Sequence, residues 1–175
     1  MIAKLKETLL GKIIKVRLKI ILQQDRTYDF AEELSKIEKV LIIMPAGKEY
    51  SEPMQDFIKQ IGHVFINARV STFVTSSLRK NDLNWLGVPN DHYLKGIRDE
   101  LFDLVIDINL KQDKISSYLC ALSGAPMRIN LATGQYDHVY NLHFRMKDNN
   151  KTIDERLKNI ISYLQFLIKQ KDKKN

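Results

Sequence analysis

A carboxylate, a carboxamide and an ammonium group follow one another where the apolar run Leu104-Val105-Ile106 ends, as Asp107, Asn109 and Lys111. An aspartate in that place can serve as a general base, or it can cap the loop after the strand by accepting local hydrogen bonds. A second group of interest is the turn Pro45-Ala46-Gly47, followed by Lys48, Glu49 and Tyr50. The expected ligand-binding residues are Ala46, Gly47, Lys48, Asp107, Asn109 and Lys111, and the candidate catalytic carboxylates are Glu49 and Asp107. They reach a shared crevice only if the two strands that carry them are neighbours. The turn has one glycine and fits neither G-x-G-x-x-G nor G-x-x-x-x-G-K-[ST], so no phosphate cradle is encoded. A helix starting just beyond it would still favour an anion at its positive end.

Other chemistry is thinly represented. The histidines at 63, 92, 138 and 143 show no H-E-x-x-H or related ligand spacing, which predicts no metal site, and no cofactor motif is present. No serine stands in a G-x-S-x-G elbow. Cys120 lies in an apolar helical stretch and reads as a packed, inert thiol. A lone cysteine cannot form an intramolecular disulfide, which fits a reducing compartment.

The elements that must position these residues follow from periodicity. Leu101 to Asn109 holds a continuous apolar core between Asp103 and Asp107, the pattern of a strand covered on both faces. Lys39 to Met44 reads as the first buried strand and Val70 to Ser76 as an alternating second one. Ser51, with Pro53 in the first turn, predicts a helix over 51–69. Asp91 to Glu100 reads as a short helix. Asp113 can cap a helix that Gly124 and Pro126 end, and 126–131 then forms a short strand. Residues 138–144 alternate as an edge strand, on which His138 and His143 need not converge. Thr152 and Glu155 form a capping box for the last helix. Trp85, inside Asn81 to Pro89, is expected to anchor that excursion to the core. This alternation predicts an α/β fold, a single Rossmann-like, doubly wound and mainly parallel sheet with flanking helices.

At 175 residues the chain can bury roughly 70% of its unfolded surface in one domain. Its net charge of +7 is concentrated at the ends: +5 in residues 1–24 and +4 in 147–175, leaving −2 between. Such a distribution, without basic-aromatic interleaving, argues against nucleic acid. Residues 1–37 read as a basic amphipathic helix and its connection, 38–170 as the domain and 171–175 as a frayed tail. The helix either docks its apolar stripe on the domain or lies on an anionic membrane surface. No apolar stretch is long enough to span a bilayer, so a cytoplasmic protein, peripheral at the inner membrane face if the helix binds lipid, is expected.

The segments KVLII at 39–43, FDLVIDI at 102–108, SSYLCALSGAPMRINL at 116–131 and TIDERLKNIISYLQFL at 152–167 resemble the N-terminal, acceptor-side domain of the lipopolysaccharide heptosyltransferase family, glycosyltransferase family nine. The resemblance covers roughly residues 38–168. It implies one half of a GT-B enzyme, whose second domain holds most of the nucleotide sugar and would begin where this chain ends. The family carries Gly-Asp after its first strand, the aspartate being the catalytic base. Here Lys48-Glu49-Tyr50 stands in that place, with Tyr50 opposite the aspartate and only Glu49 able to substitute. DLNWLGVP at 82–89 and the basic leading helix are also similar to short uncharacterised bacterial proteins. The expectation is therefore a heptosyltransferase-like domain, not catalytic alone, that binds a sugar, nucleotide-sugar or phosphate-type ligand or a protein partner. Two alternatives stand beside it: a glycosyltransferase half completed by another chain, and a membrane-surface interaction protein.

Overall fold

Val40, Ile42 and Met44 point to one side of the first strand, Leu41 and Ile43 to the other, and all five are buried. A strand apolar on both faces needs a helical layer on each. The computed structural model, which describes residues 2–21, 29–47, 51–144 and 152–172, supplies both layers. In chain order the elements are α1 (Ile2–Ile21), α2 (Phe30–Leu34), β1 (Lys39–Met44), α3 (Glu52–Val64), β2 (Arg69–Val74) and α4 (Asp91–Asp99). They are followed by β3 (Leu104–Asp107), α5 (Lys114–Leu122), β4 (Met127–Asn130), β5 (Leu142–His143) and α6 (Ile153–Asp172).

All strand pairs are parallel, in the order β2-β1-β3-β4-β5. This is a doubly wound α/β sheet of the Rossmann-like kind, with the 2-1-3-4-5 order also found in flavodoxin-like folds. The strand read within Leu101 to Asn109 is β3, the middle one of the five. One face, lined by Val40, Ile42, Leu104, Ile106, Met127 and Ile129, is covered by α2, α3 and α6. The other face carries Leu41, Ile43 and Val105 against α1, α4 and α5. Its β3–β4 half is polar, because Asp107, Arg128 and Asn130 alternate onto that side and are buried.

Local signals place several helix starts. Asp113 Oδ2 accepts from the backbone of Ile115 and Ser116 at 3.0 and 2.9 Å, and Asn90 Oδ1 accepts from Tyr93 at 2.9 Å. The Thr152–Glu155 box closes in both directions, at 2.8 and 3.3 Å. Ser51 stands at the start of α3 but makes no capping bond with its side chain. That helix ends at Val64, short of residue 69, because Phe65 leaves helical geometry to enter the turn into β2 while staying in the core.

α1 docks its apolar stripe on the domain: Leu10 and Ile14 are buried against the α5 layer. A single-face docking leaves Leu5 and Val16 exposed at 69% and 58%.

Two expectations are corrected. Trp85 is no anchor. Asn84 Oδ1 accepts from the backbone of Leu86 at 2.9 Å, Gly87 adopts φ 73°, and the tight turn sends Leu86 and Val88 inward and Trp85 outward at 67% exposure. The Lys6 ammonium instead donates to the Trp85 carbonyl at 2.9 Å and lies 5.9 Å from the ring centre. Residues 138–144 are likewise not one strand. Asp137–Val139 forms a 3-10 turn, and only Leu142–His143 pairs with β4. The buried positions Val139 and Tyr140 are held from afar, by Arg128 Nε donating to the Val139 carbonyl at 2.6 Å and by Tyr140 Oη donating to Asp107 at 2.7 Å.

Candidate functional site

In an open parallel sheet, ligands bind beyond the strands' carboxyl ends, at the place where successive connections leave in opposite directions. Here that place is between β1 and β3. Ile43 pairs with Asp107, and the Ile108 N–H donates to the Ile43 carbonyl at 3.0 Å, so the two strand ends lie side by side. From β1 come Ala46 and Gly47, both exposed, with Gly47 at φ 75°, a turn conformation a side chain would strain. From β3 come Asp107, half-buried Asn109 and exposed Lys111. Lys48, Glu49 and Tyr50 lie outside the described residues.

Asp107 is 2% exposed, and both its oxygens are occupied. Oδ1 accepts from the Asn109 backbone N–H at 3.1 Å and from Asn109 Nδ2 at 2.7 Å, and Oδ2 accepts the Tyr140 hydroxyl at 2.7 Å. Burial pushes the Asp107 carboxyl up to about 6. The Tyr140 and Asn109 bonds hold it back, while Asp113 adds to the rise. Enclosed in this way, Asp107 does not face a ligand. It pins half-buried Asn109 just beyond the strand, by both its backbone and its amide.

The polar cluster extends inward from there. Asn109 Nδ2 also donates to Ser116 Oγ at 3.1 Å, Ser116 Oγ donates to Asp113 at 3.2 Å, and Ser117 Oγ meets Tyr140 Oη at 3.1 Å. The mouth of α5 is thus tied to the end of β3. At the next strand end, His143 Nδ1 lies 2.8 Å from Asn130 Oδ1, and Asn130 Nδ2 donates to the Ala132 carbonyl at 2.6 Å. Burial pushes the Tyr140 phenol up, with Cys120 and Asp107 adding to it, so the hydroxyl keeps its proton. Cys120 is fully buried, and burial followed by the Asp107 charge holds its thiol protonated.

Sequence periodicity put Gly47 and Asp107 after two strands that are neighbours in the sheet, but it missed the polar contacts of Tyr140, Ser116, Ser117, Asn130 and His143. One signal was available. Arg128 and Asn130 alternate within an otherwise apolar strand, which marks a polar stripe on one face. His143 bonds Asn130 while His138 borders α1, and among the described residues no group of three or more His, Cys, Asp or Glu side chains is placed to hold a metal ion. No described helix is long and apolar enough to cross a membrane.

Comparison with known families places this geometry in context. The model of a family of unknown function, DUF6913, matches residues 6–167, and the chain belongs to that family. The match takes in α1 together with the sheet. No curated protein matches the chain.

Proposed function

We propose that this chain is a single α/β binding domain, resembling the acceptor side of a heptosyltransferase, that holds a sugar or sugar-phosphate ligand without transferring it alone. The observation that carries the proposal is the state of Asp107. It stands at the switch point, where a base would be expected, yet it is enclosed and hydrogen-bonded on both oxygens. What the crevice offers a ligand is the Gly47 turn, the Asn109 amide held in position from behind, and the Lys111 ammonium. Such groups recognise hydroxyls and an anionic substituent. A cytoplasmic setting belongs to the same proposal.

The test is ligand titration of the whole chain by thermal shift and backbone NMR, with sugar phosphates, free nucleotides and nucleotide sugars. Binding to the native state alone raises its stability by mass action, about 2.7 kcal/mol at a hundredfold excess over Kd. The expected result is a stabilised protein whose perturbed resonances centre on Gly47, Asn109 and Lys111, with no sugar transferred. A panel that leaves those resonances unmoved would sink the proposal. Turnover by the isolated chain would overturn its non-catalytic part.

A further inference from the structure

Away from the β1–β3 crevice, a cavity of about 440 Å³ lies between α1 and the loop after β4. Glu7, Thr8, Lys12 and Lys15 line it from the helix, Tyr136 and His138 from the loop. Lys12 and Lys15 form no ion pair among the described residues, so two ammonium groups border one opening. Tyr136 is 3% exposed, and its hydroxyl is a buried side-chain polar atom with no hydrogen-bond partner. Native structures rarely leave such an atom unsatisfied unless an outside group completes the bond.

The loop wall is built to stay in place. Gln112 Oε1 accepts the Tyr136 N–H at 2.8 Å, and Gln112 Nε2 donates to Asp137 Oδ1 at 2.6 Å and to the Ala132 carbonyl at 3.3 Å. Gly134 N–H also donates to Asp137 Oδ1, at 3.0 Å. A Cβ on Gly134 would stand 2.6 Å from Gln112 Oε1, so the glycine is what lets that side chain pass. Burial, Glu7 and Asp113 push the Tyr136 phenol up against the opposing Gln135 amide, which leaves the hydroxyl a proton donor.

We propose that this cavity binds a phosphate-type anion, held by the Lys12 and Lys15 ammonium groups and the Tyr136 hydroxyl. Two cations and one neutral donor outnumber the single Glu7 carboxylate on the lining, leaving it net positive, and hydrogen bonds from the ammonium groups to a phosphate-type anion are charge-assisted. The anion is either a soluble phosphate or the headgroup of an anionic lipid. The second source is raised by Leu5, Leu9 and Val16, which share an exposed stripe of α1 with Lys12. The proposal stands independently of the crevice between β1 and β3.

The test uses the full chain, inorganic phosphate, glycerol 1-phosphate, and phosphatidylcholine vesicles with and without phosphatidylglycerol. His138 reports on the site, because burial and then Lys15 lower its pKa, against the Gln135 backbone and Asp137, with Lys12 and Glu7 also on the lining. An anion seated there should move the His138 ring titration upward and shift Tyr136. The double variant Lys12→Ala/Lys15→Ala should weaken binding about tenfold or more, and Tyr136→Phe by a smaller factor. Both variants should keep the circular dichroism of the parent. Phosphate binding that both variants weaken supports a soluble ligand. Vesicle binding that they weaken, without response to free phosphate, supports a lipid headgroup. Phosphate that perturbs only Gly47 and Asn109 overturns this site and leaves the crevice reading intact. Binding of either kind that both variants leave unchanged, or no binding at all, also overturns it.

Discussion

Asp107→Asn should make the protein more stable at neutral pH and leave it nearly unchanged in mild acid. The folded-state carboxyl is raised from 3.8 to about 6, chiefly by burial. At about 1.36 kcal/mol per pKa unit, ionising it in the folded chain costs about 3 kcal/mol more than in the unfolded chain. The folded state therefore holds this proton more tightly. Asp107's contribution to stability is fully present below pH 3.8, is lost as pH rises from 3.8 to about 6, and stays lost above that. The asparagine keeps an acceptor oxygen for both Asn109 bonds, and its amide nitrogen can donate to Tyr140 Oη, which can in turn donate to Ser117 Oγ. Urea unfolding of both proteins between about pH 4 and about pH 7.5 is the assay, and subtracting one curve from the other cancels every group they share. The variant should gain most of that ~3 kcal/mol relative to its parent across the range. With a slope of about 2 kcal/mol/M, this is roughly a 1.5 M difference in midpoint at neutral pH. A difference that does not change with pH would refute the raised carboxyl, and one of opposite slope would mean that its hydrogen bonds outweigh burial.

Four further substitutions test the packing and one helix cap. Leu10→Ala should cost about 2–5 kcal/mol in urea or thermal unfolding, because the side chain is buried against the α5 layer; a cost below about 0.5 kcal/mol would mean that α1 is not seated there. Trp85→Ala should change stability by no more than about 0.5 kcal/mol while Leu86→Ala costs about 2 kcal/mol or more, and the reverse ranking would restore the tryptophan as anchor. Asp113→Ala should cost about 1 kcal/mol by loosening the first turn of α5, read as lowered protection of the Ile115 and Ser116 amides from hydrogen exchange.

The layers of this fold were legible where one local rule decides the structure. Continuous apolar runs gave β1 and β3, Asp113 gave the start of α5, and Thr152 with Glu155 gave the start of α6. What could not be read depends on bonds between distant residues. Val139 and Tyr140 are apolar enough to suit a strand, but Val139 closes a 3-10 turn held by Arg128, and Tyr140, though extended, is bonded to Asp107 and pairs with no described strand. Trp85 is large and solitary, which ordinarily means buried, yet the Asn84 carbonyl and side chain fix a turn that points it outward. The strand-end crevice was addressed by topology alone, since Gly47 and Asp107 fall at the ends of adjacent strands. That Asp107 is enclosed followed from Tyr140, whose contribution no spacing rule connects to it.

The seat of α1 has a consequence for how the protein is made. The helix is synthesised before the sheet, but its partner α5 follows about a hundred residues later. At roughly 5–20 residues per second, the ribosome leaves α1 without that partner for about 5–20 s. During that interval Leu10 and Ile14, which later lie in the core, are exposed on the same basic helix as Leu5, Leu9 and Val16. A helix carrying apolar and basic residues together is the kind that anionic bilayers bind. The newborn chain therefore meets its surroundings with a wider apolar face than the finished protein presents, and the docking of α1 on α5 is the step that narrows it.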